Sequence, residues 1–317
     1  HMILLMILAL SLAAPAAAEE AGAPPDEESP AAAEDPGPVV KPAPWLYVRE
    51  MVALAGWPGG LLSDTRLQIR GPLHRTHGMV FNDTHIGAGF RFAATPAFVE
   101  IGPRFSFAPI DVFDMEMAVG YVFYWPSSSG LLPYNDVDDP KRDQERKDLF
   151  NDDSRLVPAG HAFHAMVNPT AKLKVGPVIA LYSFTVHYYR IAELGDAEDS
   201  AYVYEPYTDR MIDRTQDLVM EQQAVVMGEF ADGVQKPMFR VGATFRDTFT
   251  IQAKDRSMNL GGIMMLKPSY KKGWPTIVLQ VLPYIMDHQR LGHVPNIQGV
   301  LVWSGDHTIK QAIQAKP

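Results

Sequence analysis

Residues 101–125 read IGPRFSFAPIDVFDMEMAVGYVFYW, and their second half alternates with period two. Phe113, Met115, Met117, Val119, Tyr121, Phe123 and Trp125 fall on one side of an extended chain. Asp114, Glu116, Ala118 and Gly120 fall on the other. Successive side chains of a strand point to opposite faces, so this segment reads as one strand of a two-faced sheet. Which face meets which solvent decides the fold.

The pattern recurs along the chain. Leu67 and Ile69 oppose Arg66, Gln68 and Arg70; Ile86, Ala88, Phe90 and Phe92 oppose His85, Gly87, Gly89 and Arg91. Val99, Ile101, Phe105 and Phe107 oppose Glu100, Gly102, Arg104 and Ser106. Residues 161–175 alternate throughout, with His164, Asn168, Lys172 and Lys174 on the polar side. Further segments at 178–190, 201–212, 217–229, 238–251, 258–266, 276–286 and 296–304 bring the expectation to about twelve strands, within a range of roughly 10–14. A 3.6-residue period is confined to a short helix expected near 46–54.

Several of these strands reach ten to fifteen residues. Soluble strands usually run about 5–6, whereas a membrane-crossing strand needs roughly 9–11. Tight turns such as Gly176-Pro177 and long polar segments, chiefly 126–160, join them, which is the layout of a transmembrane barrel. The polar segments at 72–83 and 126–160 fall at opposite ends, so one strand in this assignment is missed, invented or merged.

The polar face mixes charges with Gly87, Gly89, Gly102, Ala118, Gly120 and Gly242. Small residues beside Arg and Glu suit a crowded lumen in which long side chains pair across strands. The apolar face ends in aromatics at Tyr121, Phe123 and Trp125 and at Tyr182, Phe184 and Tyr188, with Trp274 and Trp303 near other strand ends. Amphipathic rings collect at the headgroup level in this way. Met115 to Trp125 are therefore expected to face lipid, and Asp114 and Glu116 the lumen.

On these residues, roughly 60–304 resemble the Gram-negative outer-membrane β-barrel proteins in general, with no motif of a particular family. The resemblance implies an all-β antiparallel transmembrane barrel in the outer membrane. It implies the lipid bilayer, lipopolysaccharide and the barrel-assembly machinery as partners, with small polar solutes as cargo. One departure stands out: such barrels commonly finish on an aromatic that the assembly machinery reads, and this sequence ends GDHTIKQAIQAKP.

Composition sets further bounds. Residues 3–18 carry an apolar run too short to span a bilayer, and Ala16-Ala17-Ala18 fits an export cleavage site, although no Lys or Arg precedes the run. Residues 1–18 thus read as a signal peptide, 19–44 as a disordered acidic arm rich in Pro and Ala, and 45–317 as the barrel. Seven acids and no base lie within 19–36, so most of the formal charge of -9 sits there and the remainder is close to neutral. That balance gives no reason to expect nucleic acid as a partner. The absence of cysteine excludes disulfides, thiolate metal sites and a cysteine nucleophile.

The inward set Arg66, Arg70, Arg91, Glu100, Arg104, Glu116, Lys172, Lys174, Arg240 and Arg246 is the most informative constellation. It reads either as a charged pore lining or as ion pairs that plug a narrow barrel. No catalytic residue, metal site or cofactor is expected. Ser183 and His187 share a face about 13 Å apart at ~3.3 Å per residue, too far to hydrogen-bond. His161 and His164 fall on opposite faces, and neither G-x-S-x-G nor H-E-x-x-H occurs. The carboxylates Asp136, Asp138, Asp139, Asp152 and Asp153 lie among Lys and Arg without an EF-hand order, so they read as a solvated loop rather than a calcium site. The functional expectation is a narrow passive channel for small polar solutes. A non-conducting barrel that anchors envelope partners is the alternative, and a soluble secreted barrel with an apolar ligand comes after it.

Overall fold

The computed structural model describes residues 44–308, except 57–58, 74–83, 126–130, 138–158, 194–199, 231–237, 269–274 and 288–294. The expected signal segment, the arm up to residue 43, Trp274, the tail after 308 and most of the acidic loop lie outside the described residues.

The first half of the barrel comprises β1 (Trp45–Gly56), β2 (Gly59–Pro72), β3 (His85–Ala94), β4 (Phe98–Ile110) and β5 (Phe113–Tyr124). The second half comprises β7 (Gly160–Val175), β8 (Val178–Glu193), β11 (Gln216–Phe230), β12 (Met238–Thr250), β13 (Arg256–Lys267), β14 (Thr276–Leu282) with β15 (Tyr284–Met286), and β16 (Asn296–Thr308). Every pairing is antiparallel; β12 pairs with β13 and β1 with β16, so the sheet has no open edge. β14 and β15 are two pieces of one stave along β13, interrupted at Pro283, which has no N–H for a ladder. The result is a closed barrel of 12 strands. Closure matters because an open sheet in hydrocarbon would leave backbone donors and acceptors unpaired.

Two expectations are corrected. The helix near 46–54 is instead β1, paired with β2 on one side and β16 on the other. Those two ladders outweigh a weak local preference for helix. Residues 201–212 do not cross the barrel: β9 (Tyr202–Glu205) and β10 (Arg210–Asp213) form a hairpin, each strand too short to span a bilayer. With β6 (Leu132–Tyr134) they make a separate three-stranded sheet. One strand was missed and one added, so the total of twelve survives. β2 finishes and β3 begins at one end of the barrel, and β5 finishes and β7 begins at the other.

The outward face is apolar, with Ile69, Phe90, Ile101, Tyr121, Val226 and Leu260 exposed. The inward face holds buried Asp64, Gln68, Arg91, Glu100, Arg104 and His164. This orientation is the reverse of a soluble barrel with an apolar interior. Toward the end at which β1 begins and β16 finishes, the inward set of one wall turns apolar, with Ile179, Val225, Met227 and Ile263 packed together. A closed ladder of this kind resists detergent, so the unboiled protein is expected to run faster on a gel than the boiled one. Identical mobilities would contradict the closed sheet.

Candidate lumenal site

The site begins with glycines. A Cβ on Gly120 would lie 2.5 Å from Glu100 Oε1, and one on Gly87 would lie 2.9 Å from Arg70 Cγ. Where a strand offers no side chain, a long neighbour reaches over it, and Glu100 on β4 thereby passes across β5 to His164 on β7. Arg91 on β3 organises what surrounds it. Its Nε donates to Asp64 at 2.9 Å, Nη1 to Glu100 at 2.9 Å and Nη2 to the Tyr207 hydroxyl at 2.9 Å. Arg66 donates to Asp64 at 2.8 Å and to Glu116 at 3.3 Å, and Arg104 also contacts Glu116. Apart from Glu116, whose side chain is partly exposed, these groups are removed from water, where such pairs hold only if their hydrogen bonds are nearly complete.

Cations outnumber anions on this wall. Arg49, Arg66, Arg70, Arg91 and Arg104 face Asp64, Glu100 and Glu116. Arg70 is matched by a neutral group, donating to Gln68 Oε1 at 3.0 Å while its guanidinium lies 3.4 Å from the Tyr47 ring centroid. Arg49 Nε is buried without an acceptor among the described residues.

Glu100 Oε1 lies 2.8 Å from His164 Nδ1, and His164 Nε2 lies 3.0 Å from His187 Nδ1 on β8. The two imidazoles are stacked, with Tyr189 stacked on His164 at 4.5 Å between centroids. The register of β7 with β8 pairs His164 with Tyr189 and Met166 with His187, which makes the two histidines diagonal neighbours. Spacing along the chain relates His187 to Ser183 and His164 to His161, whereas only the ladder between β7 and β8 brings the two histidines together.

The small sheet closes over the site. Val203 and Ile212 pack with Phe98, Tyr124 and Tyr189 of the barrel wall in one core cluster. Glu205 accepts hydrogen bonds from Tyr124 Oη at 3.0 Å, Tyr207 N at 3.0 Å, Thr208 N at 2.7 Å and Thr208 Oγ1 at 2.8 Å. Burial raises the pKa of this carboxyl, against those bonds, which favour its ionised form.

Beside the sheet lies a cavity of about 840 Å³. Arg66, Arg91, Glu116, His187 and Arg246 contribute its polar side, while Met51, Leu62 and Val300 contribute apolar surface. Of the ten sequence-predicted residues, the structure gathers Arg66, Arg91, Glu100, Arg104 and Glu116 into one network, with Arg70 adjoining. Arg246 pairs with Glu221 at 2.7 Å at the cavity. Lys174 and Arg240 share Glu229 at 2.6 and 2.5 Å, and Lys172 contacts Asp114, all toward the terminal end. Asp64 and Tyr207 lie outside the sequence-read inward set, and the pairing of His164, already on the polar side of its strand, with His187 comes only from the structure.

No family model matches this chain, and no curated protein matches it. Among solved structures, the β-domain of the Bordetella autotransporter BrkA aligns with 83% of this chain and 98% of its own, at 8% identity and a TM-score of 0.45. LpxR from Salmonella typhimurium aligns with 81% and 99%, at 10% identity and a TM-score of 0.39. OmpF from Salmonella typhi, in a complex with daunomycin, aligns with 83% and 97%, at 6% identity and a TM-score of 0.26. The pairing of the chain's own strands establishes the closed barrel.

Proposed function

We propose that the protein is an exported outer-membrane barrel whose lumen serves as a closed chamber for a small amphipathic solute carrying an acidic group. The observation behind this reading is the three-stranded sheet, fused to the barrel wall through Val203, Ile212 and Glu205, next to a cavity with one charged, ion-paired side and one apolar side. Arg66, Arg91, Arg210 and Arg246 exceed Glu116, Asp209 and Glu221 by one in its lining, which favours an anionic group, and Met51, Leu62 and Val300 suit an apolar remainder. Lipid and lipopolysaccharide surround the outer face, and the assembly machinery inserts the barrel.

The test is conductance of the full chain in a planar bilayer. A closed chamber gives no current above background. A second reading, the narrow passive channel, draws on the partial exposure of the Glu116 and Arg246 side chains, 23% and 25%. Steady ohmic steps with a preference for anions would establish that channel in place of the chamber.

A further inference from the structure

We propose that His187 is a general base facing the chamber, and that the chamber hydrolyses a carboxylic ester small enough to enter it. This rests on the chamber reading for access of the substrate, while its chemistry rests on the relay Glu100–His164–His187.

Hydrogen-bond roles along the relay follow from its first member. The Glu100 carboxylate, fixed by Arg91, can only accept, so His164 donates from Nδ1. In neutral His164 the Nε2 lone pair is then the acceptor, and at 3.0 Å it takes the Nδ1–H of His187. His187 is left with its Nε2 lone pair as the free basic atom, on a side chain that lines the cavity. The stacked Tyr189 and the nearby Tyr207 ring, 5.9 Å from each imidazole, hold both rings in place. A carboxylate behind an imidazole fixes its tautomer and stabilises the imidazolium that forms when it takes a proton. Here a second imidazole carries that influence one step further.

The reacting partner is water. His187 Nε2 takes one of its protons as its oxygen bonds to the ester carbonyl carbon, and the carbonyl electron pair moves onto oxygen. Collapse of that intermediate breaks the bond to the alcohol oxygen, which leaves with the proton returned by His187. Arg246 lines the same cavity as His187, and its charge, shared with Glu221, is the one assigned to the developing oxyanion. Glu100 and His164 are positioning residues, and His187 is the catalytic one.

The experiment uses the full chain, folded in detergent and checked by its gel shift, with 4-nitrophenyl acetate and 4-nitrophenyl butyrate as probes. Turnover above the detergent blank is expected, slowed in D2O. His187→Ala and His187→Gln should each lose about a hundredfold in kcat. Glu100→Gln should lower kcat with KM unchanged, and His161→Ala, on the opposite face, should match the parent. Equal rates for the parent and both His187 variants would overturn the proposal. If neither variant folds, 15N spectra of the histidine-labelled parent decide it. A protonated Nδ1 with a bare Nε2 at His187 supports the base, and an Nε2–H tautomer overturns it. Conductance reads the chamber and turnover reads His187, so either can fail alone.

Discussion

Gly102→Ala is expected to abolish the folded barrel, whereas Gly120→Ala leaves it intact and disables only the relay. The difference lies in what the added carbon meets. On Gly102 a Cβ would sit 1.9 Å from the carbonyl oxygen of Val119, a backbone atom held in the next strand of the ladder. Neither strand can yield without losing register, and β4–β5 is in the middle of the network-bearing wall. On Gly120 the Cβ would meet the Glu100 side chain, whose displacement breaks its bonds to Arg91 and His164 but leaves the strand ladder in register. Gel mobility should therefore show no heat-sensitive band for Gly102→Ala and a normal one for Gly120→Ala. The latter should lose the upfield or downfield shift that the Glu100 contact imposes on the His164 ring nitrogens. A heat-sensitive Gly102→Ala barrel would mean that the strands are less closely apposed than described.

Arg91→Met is the second large effect. Removing this guanidinium leaves Asp64 and Glu100 without their shared partner and the Tyr207 hydroxyl without a donor. Breaking a buried pair in this way costs about 3–5 kcal/mol. The loss should appear as a lower urea midpoint for unfolding from lipid vesicles. It should also appear as faster proteolysis within 200–214, because Tyr207 ties the small sheet to the wall. Asp64 keeps Arg66, so adding Glu100→Gln alone to Arg91→Met removes the carboxylate that has lost its cation and should recover part of the loss. Absence of recovery would show that Arg91 contributes through packing rather than charge.

Period-two alternation is a local property, so nearly all of the strands and their faces could be read from the sequence. It failed where the pattern was short or ambiguous. In residues 201–212 the alternating Tyr and Val residues are real, but the turn between β9 and β10 cuts the segment into pieces too short to cross. In β1, Tyr47, Arg49 and Met51 mix with Leu46 and Val48 and obscure the two faces. The charged members of the site were legible because a charge on an inward face is unusual. The histidine pair was not, because it depends on the register of β7 against β8 and on the bare Cα of Gly120. Asp64 escaped because it precedes the stretch in which β2 visibly alternates.

The ladder between β1 and β16 has a consequence for the order of events during biogenesis. Trp45 pairs with Thr308, so the first stave of the barrel must wait for the last to be made. Throughout that interval one edge of β1 offers unpaired N–H and C=O groups to any extended chain nearby. Closing so long a loop is entropically costly and comes late, as for other non-local sheets. The pairing of β1 with β16 is therefore the last ladder that the chain can complete.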